Sequence, residues 1–310
     1  MQEKRNKRLA LIFVVLCCVT IVTFFISRTD GSVDVDKTLF KDFDLQEIDQ
    51  VSLESKAGTV VLKFNGSKWL VNEQFNADAA MIQILFATLE QAEPKRPVSP
   101  SIRDSVSSDL KNEGVKVSLF SSGVREIAFY AGGNVRKTQA IFCAEGTDTP
   151  YIMSIPGYRV YVSGIFELPE NDWKDKLVFG FNWRNFESLE AGFPESSEQG
   201  FKVSLRDSYF GIEGMASVDT AKLNQFLDDV SLLTASDYLN KPIFGDSLSR
   251  PSASMIITVR DIAQRAYTLE LYRNAGGEQA IPGLINGKQW ALFAPPKIDE
   301  IFRKRAFFRE

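Results

Sequence analysis

The chain has no histidine among its 310 residues. That absence removes Ser-His-Asp and Cys-His machinery together with every histidine-ligated metal site. Carboxylate-only, lysine-based and calcium-dependent chemistry stay open. Cysteine is nearly as scarce, with three in all. Cys17 and Cys18 lie in an apolar N-terminal run, where they act as small hydrophobes. Cys143 is left alone in the body, without a partner for an internal disulfide, so the fold must rest on its apolar core. A basic stripe is missing too. Residues 1–8 hold Lys4, Arg5, Lys7 and Arg8 against Glu3, so a net charge of -4 leaves -7 for the remainder. A mildly acidic body attracts a phosphate backbone weakly, which argues against nucleic acid as a partner.

What is present is ordinary for a globular chain, 44% hydrophobic and 25% charged residues, at a length suited to one large or two ordinary domains. The exception is Leu9 to Ile26, eighteen residues without a charge. As a helix it reaches roughly 27 Å, against a hydrocarbon core of about 30 Å. Thirteen of the eighteen are Leu, Ile, Val or Phe, and they favour insertion by roughly 5 kcal/mol. The basic cluster precedes the run, whereas Arg28 follows it amid Asp30, Asp34 and Asp36, so the positive-inside rule puts the body outside the cytoplasm. The run is longer than an ordinary signal-peptide core, and no small-x-small cleavage site follows it. With no charged residue and no small-xxx-small pattern it reads as a passive anchor without an ion path. The expected order is a cytoplasmic basic tail at 1–8, a transmembrane helix at 9–26 and a polar, acidic linker at 27–40. The body is expected in the periplasm, on a bacterial inner membrane.

In the body one pattern occurs twice. Val51, Leu53, Val60, Leu62 and Phe64 alternate with polar residues, and Asn65-Gly66 turns the chain towards Trp69 and Val71. Asn76-Ala77-Asp78 opens a helix with Met81, Ile82, Leu85, Phe86 and Leu89 on one face, ending before Pro94. Residues 94–114 read as a loop with a single helical turn. Strand alternation returns at Val115–Leu119 and at Ile127 and Phe129, and a hairpin from Tyr151–Met153 to Val160–Val162 through Pro156-Gly157 is expected to complete the sheet. The second copy begins near Phe181. Trp183, Phe186 and Leu189 lead to Phe201–Leu205 and Tyr209–Ile212, and Asp219 stands where Asp78 does, followed by Leu223, Phe226 and Val230. Pro156–Val162 is matched to Asn286–Leu292, each followed by proline and a short helix, at Pro169 with Trp173 and Leu177, and at Pro295-Pro296 with Ile298, Ile301 and Phe302. The expected fold is α+β: one N-terminal transmembrane helix, then two tandem modules of antiparallel sheet with covering helices, at 41–178 and 179–310.

The anchor, the paired modules, the Lys68-Trp69-Leu70-Val71 strand, the Ala77-Asp78 helix start and the Tyr151–Val162 hairpin together resemble the bacterial domain-of-unknown-function 4340 family, over nearly the whole chain. Members are often encoded beside ABC transporter components similar to those of the gliding-motility exporter. The resemblance implies an accessory subunit of a membrane complex, with no catalytic residues to carry over.

Chemical motifs read as structural. Neither Gly132-Gly133-Asn134 nor Gly276-Gly277-Glu278 has the spacing of a phosphate loop, and both are expected to be hairpin turns. Glu145 with Asp148, Asp172 with Asp175, and Asp228 with Asp229 are candidate acid-base pairs, but sequence proximity does not set two carboxylates across a cleft. Asp34-Val35-Asp36 is too short for a calcium loop. Trp69, Trp173, Trp183 and Trp290 are in phase with apolar neighbours and are assigned to packing rather than to a sugar or peptide groove. Arg303-Lys304-Arg305-Ala306-Phe307-Phe308-Arg309 is the segment best suited to exposure and partner docking. No catalytic, cofactor-binding or metal-ligating residue is assigned and no cofactor is expected. The function expected is a non-catalytic, membrane-anchored extracytoplasmic accessory or scaffold subunit with ABC transporter or other envelope proteins as partners. The alternatives are a module that binds lipid, glycan or peptide between the two copies and, less favoured, a carboxylate-based envelope hydrolase.

Overall fold

The computed structural model describes residues 12–23, 35–179, 181, 184–206, 209–244, 250–273 and 279–310. The chain divides into two compact units, Met1–Pro169 and Glu170–Glu310. Each is built on one antiparallel sheet with helices packed on it, an α+β arrangement.

The first sheet contains β1 (Gln50–Ser55), β2 (Gly58–Phe64), β3 (Trp69–Val71), β4 (Phe75–Asn76), β5 (Glu93–Pro97), β6 (Val115–Ser121), β7 (Val124–Gly133), β8 (Ala140–Ala144) and β9 (Tyr151–Ser154), in the order β4-β3-β2-β1-β6-β7-β8-β9-β5. Alternation sets its faces: Val51 pairs with Leu62 on one side and Leu119 on the other, and all three are fully buried. The β6–β7 hairpin turns on Ser122 and Gly123, both with positive φ, as a two-residue primed turn requires. Helix α2 (Ala79–Gln91) starts where Asp78 accepts from the amides of Ala80 and Met81, and it buries Ile82, Leu85 and Leu89. A second helix, α3 (Arg103–Glu113), lies on the opposite face with Val106 and Leu110 against Tyr130, Ile141, Cys143 and Ile152.

The second sheet contains β10 (Phe186–Gly192), β11 (Phe201–Arg206), β12 (Tyr209–Ile212), β13 (Asp237–Leu239), β14 (Met255–Asp261), β15 (Ala266–Leu271), β16 (Ile281–Ile285) and β17 (Gln289–Phe293), in the order β12-β11-β10-β14-β15-β16-β17-β13. With the short β4 set aside, the two orders are the same. Helix α5 (Thr220–Ser231) is capped by Asp219, which accepts from the Lys222 amide. With α6 (Pro295–Ile301) it supplies Leu223, Phe226, Val230, Ile298 and Ile301 to one large core.

Several sequence expectations fail for identifiable reasons. Residues 94–114 hold β5 and all of α3. Pro94 and Pro97 are tolerated because β5 is an edge strand whose sole partner is β9. That same pairing removes the hairpin expected after Pro156-Gly157. β9 is flanked by β8 and β5, so Val160–Val162 finds no free edge, and the chain makes a 3-10 turn at Val162–Ile165 instead. The counterpart of Asn286–Leu292 is therefore the β8–β9 connection. The linker ends earlier than residue 40: Phe40 is buried, its ring 5.6 Å from both Phe129 and Phe142. The division between units falls before α4 (Glu170–Trp173) rather than after 178. Asn171 Nδ2 donates to the Tyr238 carbonyl, the Tyr238 hydroxyl donates to the Asp175 carbonyl and Leu177 bridges Thr234, which ties this segment to the second sheet.

Residues 12–23 are helical (α1). Ile12, Phe13, Val14, Val15, Leu16, Val19, Ile21 and Val22 are 54–69% exposed, and the Thr20 and Thr23 hydroxyls donate to the carbonyls of Leu16 and Val19 at 2.8 Å. The other residues of the expected span, 9–11 and 24–26, lie outside the described residues, as do the 1–8 tail and Asp34. Among the described residues no helix is long and apolar enough to cross a membrane.

Candidate functional site

The first unit encloses a cleft of about 600 Å³ between α3, the ends of β7 to β9 and the segment following β9. Much of its wall is aliphatic, formed by Val98, Ile102, Val106, Leu110, Ile141 and Ile152, and Arg96, Ser99, Asp109 and Glu113 also line it. At one end are polar groups. The Tyr161 hydroxyl donates to Glu167 Oε1 at 2.5 Å, and Lys137 Nζ donates to Glu167 Oε2 at 2.7 Å. Burial first, then the hydrogen bond to the Glu167 carboxylate, pushes the Tyr161 phenol well above its usual 10.0. Lys137 is 66% exposed, so its ion pair adds at most about 1 kcal/mol.

Two adjacent glycines make this geometry possible. A Cβ on Gly133 would lie 2.4 Å from the Gln139 carbonyl oxygen and 2.5 Å from Tyr161 Cε2, while one on Gly132 would lie 2.8 Å from Leu110 Cδ2. The Tyr161 ring thus packs flush on bare backbone, and Ser163 Oγ fixes the next turn by donating to the Gly132 carbonyl at 2.5 Å. Gly132 and Gly133 belong to β7, not to a turn. The turn starts at Asn134, whose Oδ1 accepts from the amides of Thr138 and Gln139. Gly276-Gly277-Glu278 lies outside the described residues.

None of the candidate carboxylate pairs lines this cleft. Glu145 is bound to Lys116 and Arg125, each at 2.8 Å, and the hydrogen bond from Lys116 holds its carboxyl below the usual range. Asp148 pairs with Lys111, Asp175 caps the Leu177 amide and Asp229 accepts from Gln225. Asp172 and Asp228 lie on α4 and α5. Asp36 accepts from Thr38, and among the described residues no group of three acidic or cysteine side chains is placed to hold a metal. Glu167, which lines the cleft together with Asp109 and Glu113, is not marked by anything in the sequence. The signal that was there is the Gly132-Gly133 pair inside a strand, which calls for close approach by another group.

The three described tryptophans pack. Trp69 is half-buried between Phe64 and Phe86, Trp173 is fully buried with its indole N–H unpaired among the described residues, and Trp290 contacts Phe244 and Tyr272. Trp183 lies outside the described residues. The basic-aromatic C-terminus closes its own core instead of standing free. Phe308 is fully buried, its ring 4.9 Å from Phe201 and 5.3 Å from Phe226, and Arg305 donates to the Gly214 carbonyl at 2.8 Å.

What these features define is a protein of two antiparallel α+β units, one of them carrying an aliphatic cleft with a polar end. Set against models of known families and against curated protein sequences, the chain matches none.

Proposed function

We propose that this protein is a non-catalytic, membrane-anchored accessory or scaffold subunit of an ABC-transporter-like complex, seated in a bacterial inner membrane with its body in the periplasm. The observation that carries the reading is α1. A helix apolar on all sides that buries none of its large side chains in the protein is suited to lipid, and its threonine hydroxyls turn inward to helix carbonyls as they do where water is absent. The basic cluster ahead of it sets the orientation, and the family resemblance supplies the class of partner. Anchoring confines the two units near the bilayer, which raises their effective concentration for envelope partners without a tight interface. Pull-down of the full-length chain in mild detergent, beside the chain lacking residues 1–30, tests the proposal. ABC transporter subunits are expected with the former, and a monodisperse chain with no partner counts against it.

The cleft favours a second reading, a ligand-binding module. Its size falls in the range of small-molecule sites, about 300–1,000 Å³, and it lies within one unit rather than between the two copies as the sequence suggested. Retention of a small molecule by the purified chain, read by native mass spectrometry, tests that reading.

A further inference from the structure

We infer that the cleft beneath α3 takes an acyl chain of a membrane lipid. The wall selects the class of ligand. Val98, Ile102, Val106, Leu110, Ile141 and Ile152 offer only aliphatic surface, and the one aromatic residue at the cleft, Tyr161, has its ring packed on Gly133. A glycan or nucleotide base has no stacking platform there, whereas an alkyl chain needs none. The mouth agrees: Ile102 is 52% exposed and Val135 fully exposed, two large aliphatics left in water at the entrance of an aliphatic hollow. Arg96, Ser99, Asp109 and Glu113 also line the cleft, and Lys137, Gln139 and the Tyr161–Glu167 pair are the groups that can meet a head group or the ester region while the chain lies along α3.

Choosing a membrane lipid as the source of the chain rests on the anchored reading. The thirteen residues from 27 to 39, ahead of buried Phe40, span at most about 45 Å when fully extended, so the cleft is tethered within reach of the bilayer surface. A second apolar hollow of about 440 Å³, lined by Ile84, Tyr158 and Val160, lies on the other side of Tyr161 and is the rival location in the same unit.

The test uses the full-length chain in vesicles of phosphatidylethanolamine and phosphatidylglycerol, doped with a phospholipid that carries a photoactivatable diazirine at one chain end, followed by mapping of the labelled peptides. Labelling is expected on α3 and β8. It should fall about tenfold in Val106→Trp, which fills the cleft, and in Ile102→Asp, which charges its exposed mouth; tenfold corresponds to roughly two methylenes displaced. Ile102→Asp changes a surface residue, so loss of labelling there is not loss of fold. Label confined to 12–23, or found on α2 instead of α3 and β8, overturns the cleft assignment and leaves the anchor standing. Label on α3 and β8 with none on 12–23 upholds the cleft and removes the anchor. Label on neither removes both, and cleft labelling that both variants leave unchanged overturns the inference.

Discussion

In the first unit the connection from β5 to β6 is a helix, α3, and the space under it is left open; in the second the matching connection, β13 to β14, shows no helix among its described residues and lays Phe244 against Tyr272 and Trp290. Tyr272 and Trp290 are nearly buried, with rings 5.4 Å apart, and the Arg250 guanidinium lies 5.7 Å from the centre of the Trp290 ring. The strand orders agree, so the difference comes from the two connections. Residues 98–114 contain Ile102, Val106 and Leu110 one helical turn apart with no proline beyond position 100, whereas the other connection carries Pro242 and Pro251, and its described residues 240–244 and 250–254 form no helix. A helix stands off the sheet by the length of its side chains and leaves gaps where they are short. A proline-bound segment with an aromatic residue can settle onto the sheet and close it. Two sheets wound alike therefore present the same face differently, covered by an aromatic cluster in one and bordering an open cleft in the other.

The largest expected effect tests whether the second face is truly closed. Trp290→Ala removes the centre of the cluster and should cost about 3–5 kcal/mol. Ile141→Ala, on the corresponding face of the first sheet, should stay near the lower end of the large-to-small range, about 2 kcal/mol, because its neighbourhood already borders open space. Chemical denaturation followed by hydrogen exchange in each unit separates the two. Equal losses would mean that the cleft is as tightly packed as the cluster.

The alkaline limb comes next. Burial, with the nearby Asp175 charge adding to it, pushes the Tyr238 phenol up to about 12 from its usual 10.0, and Tyr161 is raised as well. A group whose pKa is raised by folding stabilises the fold below its unfolded value and loses that contribution as pH climbs through the folded one. Stability should thus be level up to pH 10 and decline between 10 and 12 as Tyr238 ionises. Of the eight tyrosines, these two and Tyr272, whose phenol burial also raises, should release their protons late in a phenolate absorbance titration. In Glu167→Gln, Tyr161 should titrate earlier while Tyr238 does not move.

Overpacking sharpens the contrast at smaller cost. Leu284→Phe in the closed cluster should cost about 1–3 kcal/mol, while Val106→Phe, directed into the cleft, should cost less than about 1 kcal/mol. Thermal melts of the two variants check the pair, and a reversed order would place the void in the second unit.

The same contrast explains what could be read from the sequence. The β2–β3 hairpin at Asn65-Gly66 and the α2 and α5 starts are legible because strand alternation, turn residues and an acidic cap act locally. Val51, Leu53, Leu62 and Val71 are all buried as the alternation requires. Helix α3 was not legible. Its N-cap position is Ile102, which makes no side-chain cap bond, and its serines read as loop. β5 was hidden by its prolines, which only its edge position permits. The cleft was least legible of all, since Lys137, Tyr161 and Glu167 come from separate turns and converge only because Gly133 has no side chain. Nothing local in a sequence encodes that convergence.

The smallest effects fall where the two units are most alike, at the caps of α2 and α5. Asp78 accepts from two backbone amides at 2.8 and 3.2 Å, so Asp78→Ala should cost about 1 kcal/mol. Asp219 accepts one at 3.0 Å and adds an ion pair with Lys222 at 3.1 Å. The Lys222 amide first, then its ammonium, holds the Asp219 carboxyl below its usual 3.8. A carboxyl lowered in this way stabilises the fold above the unfolded value and loses its contribution as pH falls through the folded one. Asparagine is an equally good cap without the charge. Asp78→Asn should therefore be nearly silent, whereas Asp219→Asn should lower stability at neutral pH by an increment that shrinks as the pH falls below 3.8. If the Asp219→Asn increment persists unchanged in acid, the Lys222 pair contributes nothing, and the two caps are equivalent in energy as well as in place.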